Sequence, residues 1–228
     1  MTATLELRAV RPDEEATTLR GVLDIVLNPG ELAILRADNR AEARDIALIA
    51  AGIAPVAGGT IRFMGQDWGG LSRVPAQALR GAINLAPGEG GWLPHLTVEE
   101  SILLPRRHHD RTPERELCER ASALCRHFGL PGTPEVRPAE LGREELARAA
   151  LARAFLGNPA LIILESPLDR EIADRLADPI LAALEPARAR GAAAIWSTRS
   201  SRAWDEPGFP ATQWFDLEDG ALRPTPPS

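Results

Sequence analysis

Residues 146–167 read LARAALARAFLGNPALIILESP, and this stretch decides the fold. Its first half places Leu, Ala and Phe at helical spacing within a helix expected over residues 143–156. Gly157-Asn158-Pro159 ends that helix. Residues 160–164, ALIIL, are a continuous apolar run bounded by Pro159 and Pro167, the pattern of a strand buried on both faces. A helix leading directly into a doubly buried strand predicts a parallel sheet covered by helices.

Working outward, the same α/β alternation recurs. Strands are expected over residues 4–9, 22–27 and 31–35, with Asn28-Pro29-Gly30-Glu31 forming a type II turn. A polar stretch, residues 36–40, leads into a helix over 41–51, for which Asp38 or Asn39 supplies a capping oxygen. Further strands are expected over 60–63 and 82–85, ahead of the loop Pro87-Gly88-Glu89-Gly90-Gly91. Residues 98–104 and 113–128 are expected to be helical, with Pro131, Pro134 and Pro138 breaking the pattern afterwards. A helix over 173–184, a strand over 192–197 and a hairpin around Asp219-Gly220 close the chain, followed by a loose tail over 224–228.

The 228 residues are 44% apolar and 25% charged, enough for one large domain or two joined lobes and too apolar for disorder. A net charge of −6 argues against a dedicated nucleic-acid binder. The basic cluster Arg106, Arg107, His108, His109, Arg111 reads as a solvated turn. Cys118 and Cys125, seven apart on one helix face, read as core residues and are too far apart to be bridged. The start of the chain carries no secretion signal, and the longest apolar stretch, residues 46–56, is far short of a span, so a cytoplasmic location is expected, with membrane association through a partner. All 26 basic residues are arginine; there is no lysine.

Five landmarks stand in order: Pro29-Gly30-Glu31, AAGIAPVAGGTIRFMGQDW over 50–68, LPHLTVEESILLP over 93–105, LARAALARAF over 146–155 and NPALIILESP over 158–167. Together they resemble the ATPase subunit of ABC transporters over nearly the whole chain. The resemblance implies an α/β, P-loop NTPase-like ABC ATPase fold with a RecA-like core, an N-terminal antiparallel β subdomain and a helical subdomain. It implies one ABC ATPase-like domain over 1–228, with 1–88 and 157–228 as β subdomain plus core and about 89–156 as helical subdomain. Within the family, the segment order is most similar to the bacterial phospholipid, MCE-associated branch.

Aligned on that family, Ala37, Glu42, Ala43 and Arg44 stand where it has the Gly, Gly, Lys and Ser or Thr of its phosphate loop. A carboxylate at Glu42 falls about where phosphate oxygens belong, and like charges ~4 Å apart repel by roughly 4 kcal/mol at an effective dielectric of ~20. Gly88 replaces the glutamine that senses Mg²⁺, and Gly142, Arg143 and Glu144 replace the serine and glycines of the signature. Glu165 and Ser166 occupy the places of the aspartate that orders Mg²⁺ and the glutamate that polarises water; Arg199 replaces the switch histidine. The adenine-stacking aromatic falls near Asp13 or Glu14.

These departures lead to the expectation of a vestigial nucleotide site with no catalytic residues: a pseudo-ATPase using neither ATP nor Mg²⁺, with a structural or regulatory role and no metal. Glu42 or Asp38 is expected to cap the helix in place of phosphate. Arg44 is expected to pair with Glu165 and fill the pocket, with Arg199 joining them. The expected partners are an integral-membrane permease, docked through Glu89, Trp92, Leu93 and Pro94, and a second ATPase or another copy of the chain; no nucleic acid is expected. The expected place is the inner membrane's cytoplasmic face, held there by the permease, with lipid as a candidate cargo. Two alternatives remain: a soluble protein-interaction module derived from such an ATPase, and an ATP-binding subunit with a nonstandard nucleotide site.

Overall fold

The computed structural model describes residues 2–37, 39–88, 91–109, 112–165 and 170–225. Its centre is a six-stranded sheet in the order β10-β9-β3-β8-β7-β6. The strands are β3 (Leu32–Ala37), β6 (Ile83–Ala86), β7 (Leu161–Leu164), β8 (Ala193–Ser197), β9 (Gln213–Glu218) and β10 (Ala221–Pro224). All neighbours are parallel except the β9–β10 hairpin. A second, antiparallel sheet orders β2-β1-β4-β5, from β1 (Leu5–Pro12), β2 (Leu23–Leu27), β4 (Val56–Phe63) and β5 (Gln66–Asp67).

Alternation along the central strands builds two cores. Ile162, Leu164, Ala194 and Trp196 face one side, where α3 (Val98–His109), α4 (Glu114–His127), α5 (Arg143–Phe155) and α6 (Arg170–Ala189) contribute side chains. Leu161, Ile163, Ala193 and Ile195 face the other, against α1 (Arg40–Ala50) and the antiparallel sheet. All four residues of β7 are buried, as its unbroken apolar run requires. Gly30, at φ +83°, serves the turn into β3, where the Glu31 amide donates to the Asn28 carbonyl at 3.1 Å.

Several sequence expectations change here. α6 runs through Pro179 and Pro186 to Ala189, because Leu176, Ala177, Ile180 and Leu184 all pack into the core. Two short helices, α2 (Arg73–Arg80) and α7 (Arg202–Asp205), went unpredicted; Ala76 alone is buried in α2. The basic cluster is no solvated turn: Arg106 is 6% exposed inside α3. Its Nη2 donates to the Gly81 carbonyl at 3.0 Å and to Asn84 Oδ1 at 2.8 Å. Arg111 lies outside the described residues, as does the end of the expected loose tail. Cys125 is buried and free, and burial pushes its thiol up to about 12.

Candidate functional site

Parallel strands bring the carboxyl ends of β3, β8, β7 and β6 to one edge, where open α/β sheets bind ligands. Ala37 ends β3, and α1 begins three residues later. Asn39 is the helix cap, its Oδ1 accepting from the Ala41 amide at 2.9 Å. This corrects the expectation of Glu42: that residue, like Ala43, is buried in the first turn, where a carboxylate suits the helix dipole without capping it. Asp38, the other candidate, lies outside the described residues.

Glu165 follows β7 and is 7% exposed. Its amide donates to the Ala86 carbonyl at 2.9 Å, and its Oε2 accepts from the Gly88 amide at 3.0 Å. Arg44 Nη1 lies 3.7 Å from the same oxygen, an ion pair longer than a hydrogen bond, with the arginine side chain 48% exposed. Glu165 Oε1 is buried and has no hydrogen-bond partner among the described residues. Burial raises the Glu165 carboxyl pKa, against the opposing pulls of the Gly88 amide and Arg44.

The sign of the resulting pH effect follows. A carboxyl whose pKa is higher folded than unfolded costs stability once pH exceeds the unfolded value, and that cost is relieved as pH falls. Glu165→Gln is therefore expected to be more stable than wild type near pH 7 and to lose that advantage as pH falls into the ordinary carboxylate range. Urea unfolding under both conditions measures it; an advantage unchanged between them contradicts the assignment.

The remaining predicted positions belong to other segments of the chain. Gly142 precedes α5, its amide donating to Glu145 Oε2 at 2.8 Å, and Arg143 opens the helix. Glu144 accepts from Arg148 at 2.6 Å and from Arg175 at 3.3 Å, contacts that hold its carboxyl below the usual range. Arg199 is exposed beyond β8. Ser166 and Glu89 lie outside the described residues. Trp92 is half-buried, with the Arg153 guanidinium 4.6 Å from its ring centre; Leu93 and Pro94 are exposed. Arg153 also donates to the Gly91 carbonyl at 2.8 Å, and burial pushes its pKa down. Sequence reasoning missed this clamp because Arg153 lies 62 residues from Gly91.

No family model matches the chain. Among curated proteins, it is 30% identical over 163 residues to the lipoprotein-releasing system ATP-binding protein LolD of Hydrogenovibrio crunogenus, covering 70% of each chain. It is 30% identical over 188 residues to LolD 1 of Caulobacter vibrioides, covering 78% of this chain and 80% of that one. The chain belongs to the ATP-binding subunits of ABC transporters. Its fold matches that of the ATP-binding cassette MJ0796, with a TM-score of 0.79 at 18% identity, covering 98% of this chain and 99% of the other.

These relatives correct the expectation of a pseudo-ATPase without ATP or Mg²⁺: the similar ABC subunits are named ATP-binding proteins. The expectation rested on the departures at the nucleotide-contacting positions taken together, whereas the likeness to ATP-binding subunits extends over most of the chain. ATP·Mg²⁺ is the group that the ABC family implies, and the site fits it in part. A buried carboxylate oxygen without a donor among the described residues, Glu165 Oε1, suits a cation. The phosphate side departs from the glycine-and-lysine cradle, since the Ala41 amide is already taken by Asn39 and Glu42 is buried in that turn. Among the described residues, no helix is long and apolar enough to cross a membrane.

Proposed function

We propose that this chain is the ATP-binding subunit of an ABC transporter with a nonstandard nucleotide site, working beneath a membrane permease and paired with a second cassette. The observation that carries the site assignment is Glu165: buried, at the carboxyl end of a central strand, with one oxygen lacking a donor among the described residues. Glu165 is the residue to hold the metal, with Arg44 as its counter-ion before nucleotide binds. Bound nucleotide would supply the free energy that moves the permease. Ala37, Glu42, Ala43, Gly88, Gly142, Arg143, Glu144, Ser166 and Arg199 are this chain's counterparts of the family's nucleotide-contacting positions.

The two relatives named for lipoprotein release support a lipid-linked cargo. Trp92, Leu93 and Pro94 belong to the permease-facing surface, and the permease holds the subunit at the cytoplasmic face of the membrane. Nucleotide that binds only the folded chain stabilises it by about 2.7 kcal/mol at 100 times its dissociation constant. Thermal unfolding with saturating Mg·ATP is therefore expected to shift upward by about 5–10 °C. No shift at millimolar Mg·ATP would sink the nucleotide reading.

A further inference from the structure

A cavity of about 330 Å³ opens between β6, the loop around Gly91, α3 and α5. Its wall carries two cations, Arg44 and Arg153, and no acidic side chain among the described residues. Arg153 is spent on a backbone carbonyl and the Trp92 ring; it forms no ion pair among the described residues. Leu93 and Leu104, 41% and 44% exposed, flank the cations with Pro87 and Pro105. A cationic floor with an apolar wall complements a segment that presents one carboxylate among apolar side chains, and opposite charge is what selects such a segment from others.

Arg44 belongs to both places. It lines this cavity and stands 3.7 Å from Glu165. A guanidinium half-exposed, lining the cavity and paired only loosely with Glu165, is open to a second carboxylate. We propose that Arg44 is handed over on docking: an Asp or Glu on a cytoplasmic segment of the permease enters this cavity, takes the Arg44 guanidinium from Glu165, and so frees the Glu165 carboxylate for the nucleotide's metal. This rests on the permease-docked, nucleotide-binding reading above. Partner and nucleotide are then linked reciprocally, each raising the affinity for the other.

The test has two arms. In the first, a photo-crosslinking amino acid at Leu104 is activated in native membranes and the attached peptide sequenced. The expected product is a cytoplasmic loop of an integral-membrane protein containing an acidic residue. Arg44→Gln, or the amide in place of that acid, is expected to lower the co-purified partner about tenfold. The double variant is expected to lose no more than either single, because both remove one contact, while Arg44→Lys retains most of the binding.

No membrane protein at Leu104 removes the docking reading itself, and this proposal with it. A membrane loop without an acid, or losses that multiply in the double variant, overturns the hand-over alone. In the second arm, electron paramagnetic resonance measures Mn·ATP binding to the isolated chain. Arg44→Gln is expected to bind about tenfold more tightly than wild type, and Arg44→Lys to return to wild type. Equal or weaker binding by Arg44→Gln overturns the hand-over, and no binding by any of the three removes the nucleotide reading as well.

Discussion

Replacing Arg106 by methionine is expected to lower stability by about 3 kcal/mol and the thermal midpoint by about 6–12 °C. Methionine keeps much of the stem's packing but removes every donor. The Gly81 carbonyl and Asn84 Oδ1 lose the guanidinium in a buried setting, and each unmet acceptor costs about 1–3 kcal/mol. Asn84 is itself committed: its Nδ2 donates to the carbonyls of Ala154 at 2.8 Å and Leu156 at 3.0 Å. One arginine therefore ties α3, β6 and the end of α5 together. Its neighbour Arg107 pairs with Glu114 on the surface, and Arg107→Met is expected to change stability by less than about 1 kcal/mol. Equal losses in the two variants, read by calorimetry, would remove the distinction.

Gly59→Ala is expected to cost about 3–4 kcal/mol. Gly59 sits at φ +89° opposite an irregularity in β1, where the register shifts between Arg8 and Arg11. A Cβ there would stand 2.4 Å from the Ala9 carbonyl oxygen and 2.5 Å from Val10 Cα. Those are backbone atoms, so relief means bending β1 itself, on top of about 1–2 kcal/mol for a left-handed backbone. Gly70→Ala, with nothing within 4 Å of the new carbon, is expected to stay within about 0.5 kcal/mol. Denaturant midpoints for both variants decide it.

The parts of this fold that could be read from the chain are those where one local pattern suffices. The run at Leu161–Leu164 announces a central strand because burial on both faces leaves no place for a polar residue. The Arg44–Glu165 pair was reachable by counting, since family spacing sets both positions. What escaped depends on distance in sequence. Arg106 reads as a surface cation until Asn84, 22 residues away, is seen to receive it. Glu42 is chemically able to cap α1 in place of phosphate, and only the backbone path excludes it in favour of Asn39, a cap residue that the local sequence already offers. α6 continues past two prolines because tertiary contacts outweigh a local breaker. Nucleotide use is not legible in the motif positions, whose departures together point away from ATP; it is the likeness over most of the chain to named ATP-binding subunits that carries it.

The ion pairs of this molecule are all arginine pairs where they involve a long-chain cation, as in Arg36–Asp216 and Arg202–Asp178. A guanidinium holds its proton beyond any pH at which a lysine ammonium would release one. The chain also has no tyrosine. Between the titration of its terminal amine and strongly alkaline solution, only two thiols remain to exchange protons, and burial displaces the Cys125 thiol to about 12. The protein thus has almost no alkaline buffering capacity: its net charge is nearly constant across that range, and alkali would have to unfold it by some route other than dissolving its salt bridges.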